Sequence, residues 1–348
     1  MGIYANSSFT PAVKINQPII PSGTLSIGGT GFYNVYSYSL IDVNIEDLLE
    51  KKLTSTLNLS LNNYTDLSAS KINCAAFASC NLSNIYMPNV TEIKSSAFLS
   101  CSGLISINFP KCTYIGREAF SSCKDLTTVE LPSLLRLTGQ SAFKSCLKLT
   151  SVSLPKCTYI SANAFDHCSN LTTVYCPSVS YIGGDAFWFC SYLTSFPMPL
   201  VTELGNYVFE YCYRLESAYL PILSRSIPYE CFWKCSALSN VYAPLTSQIG
   251  ESAFDSCLIL PSISLPKVTR INTAAFKSCY NLLSVYLNVS TVPSLSNINA
   301  FNSTPIAGYT TSTGGVYGSI FVPTSLYSSF ISATNWATYS SRIVSMNF

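Results

Sequence analysis

The residues of this chain that could do chemistry are above all its cysteines, of which there are 15 beside a single histidine. Cysteine thiolates hold zinc when ligands converge from short spacings such as Cys-x-x-Cys. No Cys-x-x-Cys occurs, and the closest pair, Cys231 and Cys235, has three residues between its members. The sequence therefore predicts no metal site, and no other motif indicates a cofactor.

Nucleophilic and glycosidase chemistry are both poorly supported. The only histidine, His167, precedes Cys168, which invites comparison with a Cys-His pair, but such a pair works only when its side chains face one another. Cys168 falls at a repeated position that we expect to face the core, while His167 should face the outer surface. Glycosidases need two carboxylates roughly 5–10 Å apart, and we expect Glu130 to have only Asn108 and Ser153 beside it. We predict no catalytic residue and no enzymatic activity.

The elements that position these residues repeat along the chain. The motif is an Ala-Phe pair followed by cysteine three positions after the phenylalanine, with Val208 and Cys231 replacing the alanine twice. Successive cysteines are 21 to 23 residues apart, which indicates one turn of a solenoid per repeat. The ladder cysteines are Cys80, Cys101, Cys123, Cys146, Cys168, Cys190, Cys212, Cys235, Cys257 and Cys279. Disulfides between neighbouring turns are one interpretation; small, buried, free thiols are the favoured one, because free cysteine is among the most buried residue types.

Each cysteine is followed by the signature of a short strand. In one repeat Leu126 precedes Val129 and Leu131, and Pro132 then ends the strand because it has no backbone donor. Another apolar residue, here Leu137, follows five positions after the proline. We expect these apolar residues and the phenylalanine to face the core in every turn. A single turn cannot cover its own apolar face, so stability must come from stacking on its neighbours.

Leu-x-x-Val-x-Leu-Pro, the trailing isoleucine and Ala-Phe-x-x-Cys together resemble the BspA-like leucine-rich repeats of bacterial surface proteins, over roughly residues 53–348. The resemblance implies an α/β-type repeat fold, a right-handed leucine-rich-repeat solenoid with short parallel strands and about 22 residues per turn. It also implies a C-terminal cap over about residues 288–348. Within that cap we expect a strand at Ile320 to Pro323, then an amphipathic helix whose Trp336 closes the core.

Residues 1–52 show a different pattern. Alternating runs at 23–29, 32–36 and 40–45 are joined by Gly/Ser-rich turns and predict a small antiparallel β element. Residues 46–52 predict a short linker helix, acidic at its start and basic at its end. This region resembles a module that precedes such repeats in gut-bacterial and phage-associated proteins. We therefore predict a domain boundary near residue 52.

Composition excludes several classes of function. The net charge of +2 supplies no basic footprint for nucleic acid, so no nucleic-acid partner is expected. Hydrophobic content of 48% predicts a folded chain. No stretch of about 18 consecutive apolar residues occurs, so no membrane-spanning helix is expected. The first residues show no basic and apolar stretch typical of a signal peptide.

The outward column of the predicted sheet is the candidate binding surface. We call it the tyrosine column, since half of its positions are tyrosine and its immediate neighbours are small and neutral. It contains Tyr86, Asn108, Glu130, Ser153, Tyr175, Pro197, Tyr219, Tyr242, Ser264 and Tyr286. The candidate ligand-binding residues are Tyr86, Asn108, Glu130, Tyr175, Tyr219, Tyr242 and Tyr286. Aromatic rings beside hydroxyls and amides suit glycans or extended peptide surfaces on a concave sheet. The alternative is that tyrosine simply favours exposed strand positions.

The sequence thus predicts a non-enzymatic binding or adhesion module. The resemblance implies a secreted or cell-surface bacterial protein that engages proteins or glycans on host or bacterial surfaces. The alternatives are a phage-associated receptor-binding or structural component and, with less support, a carbohydrate-active enzyme. Oligomeric state is not predicted.

Overall fold

The computed structural model describes residues 65–308 and 317–348, together with six short backbone strands before residue 66. The chain forms two units, Met1–Leu154 and Pro155–Phe348. The fold of each unit follows from the repeat.

The first unit begins with antiparallel strand pairs. Ile3–Tyr4 pairs with Lys14–Ile15, while Thr24–Ile27 pairs with both Phe32–Asn34 and Leu57–Leu59. The alternating run Leu57–Leu59 also predicts a first strand of the solenoid, but this strand pairs antiparallel with Thr24–Ile27. The predicted run at 40–45 and the linker helix at 46–52 lie outside the described residues, and the boundary near residue 52 stays a prediction.

Parallel strands follow, in two columns that alternate along the chain. The long strands of the first unit are Leu61–Thr65, Leu82–Tyr86, Ser106–Asn108, Thr128–Glu130 and Ser151–Ser153. Its short strands are Lys71–Ile72, Glu92–Ile93, Tyr114–Ile115 and Arg136–Leu137. Ile107 lies opposite Ile85, 22 residues earlier, so the strand register equals the sequence repeat.

The second unit repeats both columns. Its long strands are Thr173–Tyr175, Ser217–Tyr219, Asn240–Tyr242, Ser262–Ser264, Ser284–Tyr286, Ser319–Pro323 and Ile343–Met346. Its short strands are Tyr159–Ile160, Tyr181–Ile182, Glu203–Leu204, Ser226–Ile227, Gln248–Ile249, Arg270–Ile271 and Ser294–Leu295. One rung is reduced to a bridge at Ser195, two residues before Pro197, which cannot donate to a ladder.

The predicted inward positions form the core. Leu126, Val129, Leu131, Leu137 and Phe120 are all fully buried. The leucine-rich-repeat solenoid predicted for the fold class is confirmed in both units by the parallel strands and by this repeating burial.

Phenylalanine rings stack from turn to turn in each unit. In the first unit the ring centroids of Phe98 and Phe120 are 4.9 Å apart, with an angle of 6° between the ring planes. In the second unit Phe254 and Phe276 stack at 5.3 Å and 2°. Offset stacking of this kind adds to the free energy gained by burying the rings.

The segment around each Ala-Phe pair is a ladder of tight turns. Ser96 and Ser100 flank one such pair, with left-handed φ angles of 56° and 60°. The backbone N–H groups of Ser96, Phe98 and Ser100 donate to carbonyls of the next turn at 2.7–2.8 Å. Every second residue therefore bonds to the neighbouring turn, which satisfies buried backbone donors without a helix.

The C-terminal cap differs from the single amphipathic helix that the sequence predicted. The tail forms one six-residue α-helix, α1 (Tyr327–Ser332), and a final strand, Ile343–Met346, that pairs parallel with Ser319–Pro323. The 3-10 helices are Ile298–Phe301, Pro305–Ala307, Thr324–Leu326 and Trp336–Arg342. The helix stays short because the chain becomes extended again at Ile343–Met346 and adds a strand to the sheet.

Trp336 closes the core, as the sequence predicted. Its side chain is 1% exposed and its indole Nε1–H donates to the Pro293 carbonyl at 2.7 Å. The ring packs edge-on against Phe330 at 5.3 Å and tilted against Phe301 at 6.3 Å. The last stacked phenylalanine is therefore covered by the tail.

Candidate functional site

The first unit carries three of the predicted binding residues on its long strands. Tyr86 is 42% exposed and lies in register with Asn108, which is also exposed. Glu130 is exposed and lies in register with Ser153. In the described strands of this unit, the residue paired in register with Glu130 is thus a serine and not a second carboxylate.

The second unit brings two of the predicted tyrosines together. Tyr219 and Tyr242 lie in register on adjacent strands, and each is 49% exposed. Their ring centroids are 5.3 Å apart and the ring planes differ by 11°. The inner faces of the two rings therefore cover one another, which leaves the outer face, the edge and the hydroxyl group of each ring for a ligand. The sequence predicts the pair but not this orientation.

Two other predicted residues of the second unit stand apart from that pair. Tyr175 is 59% exposed and is separated from Tyr219 by the rung that carries Pro197. Tyr286 is half-buried and stacks on Phe321, with centroids 4.9 Å apart and planes 12° apart. Phe321 was not among the predicted residues. It is the outward-facing residue of the strand motif Ile-Phe-Val-Pro, so the sequence pattern was sufficient to include it in the column.

Many hydroxyl groups beside the sheet donate hydrogen bonds to backbone carbonyls of the preceding turn. The Thr127 hydroxyl donates to the Ile105 carbonyl one turn earlier at 3.1 Å, and the Thr150 hydroxyl donates to the Thr127 carbonyl at 3.1 Å. In the second unit the Ser239 hydroxyl donates to the Glu216 carbonyl at 3.2 Å. The abundance of serine and threonine is thus explained in part by bonds between turns.

A second surface, which the sequence analysis missed, lies on the tight turns of the second unit. We call it the turn patch and define it as Trp188, Phe189, Tyr211, Tyr213, Trp233 and Lys234. Its rings form a connected cluster: Tyr211 lies 5.2 Å from Trp233, 5.6 Å from Phe189 and 6.3 Å from Trp188, measured between centroids. The sequence contained a signal for this cluster. In most other repeats the first and second residues after the stacked phenylalanine are small or polar, whereas Trp188, Phe189, Tyr211 and Trp233 occupy these positions here.

Buried carboxylates underlie this region. Asp166, Glu210 and Asp255 occupy the position after the stacked phenylalanine, and their side chains are almost fully buried. Asp166 contacts the Nδ1 atom of His167 at 2.5 Å, and Asp255 pairs with Lys277 at 3.4 Å. His167 is half-exposed and lies against the edge of Trp188, while Cys168 faces the core.

Glu210 is the exception among these carboxylates, since it has no ion pair among the residues that the structure describes. Its side chain is 5% exposed, and burial raises the pKa of its carboxyl to about 7. The indole N–H of Trp188 interacts with the carboxylate and opposes that rise in pKa, although the contact lacks the geometry of a regular hydrogen bond. The nearby carboxylates of Glu230 and Asp185 raise the pKa further.

The cysteines are positioned for packing. All 15 are free thiols in the structure, and only Cys74 is exposed. Burial raises the pKa of Cys101 and of Cys112 to about 12, so their nucleophilic thiolate forms are scarce at neutral pH. Within the described ranges, no three His, Cys, Asp or Glu side chains are grouped to hold a metal ion. No helix in the part of the chain that the structure describes is long and apolar enough to cross a bilayer.

Comparison with known proteins agrees with this architecture. A family model described as BspA type leucine rich repeat region matches six copies, over residues 3–104, 70–194 and 202–314. No curated protein matches the chain significantly.

Among solved structures, a leucine-rich repeat protein from Bacteroides ovatus is 21% identical, with a TM-score of 0.53 over 99% of this chain and 98% of that chain. It shares the fold. A leucine-rich repeat protein from T. pallidum is 27% identical, with a TM-score of 0.41 over 51% of this chain and 81% of its own. A leucine rich cell surface protein from Faecalibacterium prausnitzii is 20% identical, with a TM-score of 0.36 over 87% and 92%.

Proposed function

Since the chain belongs to the family of BspA-type leucine-rich repeat proteins, we propose that it is a non-enzymatic module that binds another protein through the part of the tyrosine column that lies in the second unit. The observation that carries this proposal is the stacked, half-exposed pair Tyr219 and Tyr242. Each ring offers apolar edge and a hydroxyl that can donate and accept, the combination that makes tyrosine frequent at protein interfaces.

Stacking also prepares the pair for binding. Each ring limits the rotation of the other, so little side-chain entropy remains to be lost when a partner docks. The Leu220 backbone N–H donates to the Tyr242 carbonyl at 2.8 Å, which fixes the two strands beneath the rings. A protein surface can use ring edges and hydroxyls together.

A glycan is the weaker of the two predicted ligand classes. Sugar rings bind aromatic residues chiefly across the ring face, and the stacked pair closes one face of each ring. We propose that the binding takes place outside the bacterial cell or at its surface, which rests on the resemblance to bacterial surface repeat proteins alone. Adhesion to a host or bacterial protein is the corresponding biological role.

An array of extracellular proteins and glycans tests this function. The wild type and the double variant Tyr219→Ser, Tyr242→Ser are applied in parallel, with Tyr280→Ser as the matched control, because Tyr280 is 45% exposed and outside the column. Loss of two central tyrosines should weaken protein binding by about 2 kcal/mol or more, roughly 30-fold. Unchanged melting temperatures must accompany the loss.

Three outcomes contradict the proposal in different ways. Equal binding by the wild type and the double variant would exclude the tyrosine pair as the binding surface. Binding to glycans alone would replace the protein ligand with a carbohydrate. If the folded wild-type protein bound nothing on the array, an adhesive role toward these partners would be contradicted.

A further inference from the structure

Bulky residues of the turn patch occupy backbone positions that neighbouring turns fill with small ones. The fold imposes left-handed backbone at two places in each turn, and Ser256 and Ser278 fill the second of these places in neighbouring turns. The turn patch instead has Phe189, Tyr211 and Lys234 there, with φ angles of 57°, 60° and 58°. Bulky residues adopt this conformation at a backbone cost, and such outliers gather at functional sites.

One cation already lies on rings of the patch. The Lys234 Nζ atom lies 4.8 Å from the ring centroid of Tyr211 and 4.5 Å from that of Trp233. Beside the patch, the Arg214 guanidinium lies 4.1 Å from the ring centroid of Tyr192. Contacts of this length are cation–π interactions, in which the electron-rich ring face attracts positive charge. The patch therefore has the electronic character of a cation-binding surface.

Carboxylates reinforce that character. Glu210 lies beneath Trp188, and its pKa is raised by its own burial and by the nearby charges of Glu230 and Asp185. The carboxylate of Glu230 also raises the pKa of the neighbouring Tyr229 hydroxyl. Around the rings, these three carboxylates face two cations, Lys234 in the patch and Arg214 beside it, so acidic side chains outnumber basic ones here although the whole chain carries +2. Complementary charge selects a cationic partner.

The rings are accessible to such a partner. Tyr213 is 38% exposed and neighbouring Tyr192 is 43% exposed. Trp188 and Trp233 are half-buried.

We propose that the turn patch is a second binding surface, separate from the tyrosine column, and that it binds a basic peptide segment of a partner protein. Lysine or arginine side chains would lie on the ring faces of Tyr211 and Trp233, beside the carboxylates of Glu210 and Glu230. Arginine should bind better than lysine, because its planar guanidinium stacks on aromatic rings.

Tryptophan fluorescence reports directly on this surface. The chain has three tryptophans, of which Trp188 and Trp233 belong to the patch and Trp336 is buried in the cap. Hexa-arginine and hexa-lysine peptides are titrated at pH 8 and low salt, with hexa-glutamate as the control. We expect a saturable change with both basic peptides, a tighter curve for hexa-arginine, and none with hexa-glutamate.

Variants distinguish a specific binding site from non-specific electrostatic attraction. Glu210→Gln keeps the shape of the side chain and should weaken binding about 5- to 10-fold. Lys234→Gln frees the two ring faces and should tighten it severalfold, whereas Lys267→Gln removes the same charge from an exposed position elsewhere and should change little. The Tyr219→Ser, Tyr242→Ser double variant should bind the peptide like the wild type, so this inference can fail while the proposed function stands.

Three results of the peptide titrations would each overturn the inference. These are no saturable signal up to about 1 mM peptide, equal effects of Lys234→Gln and Lys267→Gln, or full affinity in Glu210→Gln. Calorimetry on Trp233→Leu gives a readout that does not depend on the fluorophore, and wild-type affinity in that variant would equally contradict the proposal.

Discussion

The thiol of Cys123 donates to the backbone carbonyl of Phe98 in the preceding turn, with a sulfur–oxygen distance of 3.1 Å. The same carbonyl accepts the backbone N–H of Cys101 at 3.1 Å. The relationship recurs in the second unit, where the thiol of Cys279 donates to the Phe254 carbonyl at 3.0 Å. The repeated cysteine thus fills a narrow space in the core and also supplies a weak hydrogen bond between turns.

Thiol labelling should follow burial. In the native protein a thiol reagent should label Cys74 rapidly and Cys80 slowly, because Cys74 is exposed whereas burial raises the pKa of Cys80 to about 11. In denaturant without reductant all 15 cysteines should react. Mass spectrometry of labelled protein checks both counts, with Cys74→Ser as control. Several paired cysteines in the denatured sample would contradict the packing role.

Truncating a stacked ring should destabilise the protein strongly. Phe120→Ala removes a fully buried ring that stacks on Phe98 and on Phe143, so we expect a loss of about 3–5 kcal/mol in the free energy of unfolding. Tyr280→Ala, at an exposed position, should cost less than about 0.5 kcal/mol. Urea denaturation followed by circular dichroism compares the two variants, and similar midpoints would refute the stacking account.

Stability should fall as the pH rises because of Glu210. Its folded pKa of about 7 is raised from 4.5, so protonation favours the folded state. The stabilising contribution is fully present below pH 4.5 and is lost as the pH rises to about 7 and above, by on the order of 1–3 kcal/mol. Urea midpoints at pH 5.5 and 8 measure this loss. In Glu210→Gln the difference should shrink, and an unchanged difference would assign the pH effect to other groups.

The cap should be essential to the second unit. Trp336→Ala removes a buried indole and its bond to the Pro293 carbonyl, with an expected cost of about 3–5 kcal/mol. Trp336→Phe keeps an aromatic ring but loses the donor and part of the buried volume, so it should cost less, about 1–3 kcal/mol. Thermal melts of both variants provide the measurement, and Trp336→Ala at wild-type stability would mean that the indole does not seal the core.

The sequence by itself determined the repeat and the side of each strand that faces the core. Phe120, Leu126 and Val129 are buried as predicted, since a 22-residue turn cannot cover its own apolar residues and must stack on a neighbour. The end of the core at Trp336 was also predictable, because the repeat motif stops before it. These features depend on period and on side-chain type, both of which can be read locally.

Only the tertiary structure decided which side-chain atoms are exposed on the tyrosine column and on the turn patch. Tyr219 and Tyr242 were predicted to be neighbours, but whether their faces point at each other or outward depends on side-chain rotation between adjacent strands. The burial of Glu210 and the clustering of Trp188 with Tyr211 likewise arise from turns that bring residues about 22 positions apart into contact. Residue types at a repeat position specify which side chains meet, and the geometry of stacking determines which of their atoms remain available to a partner.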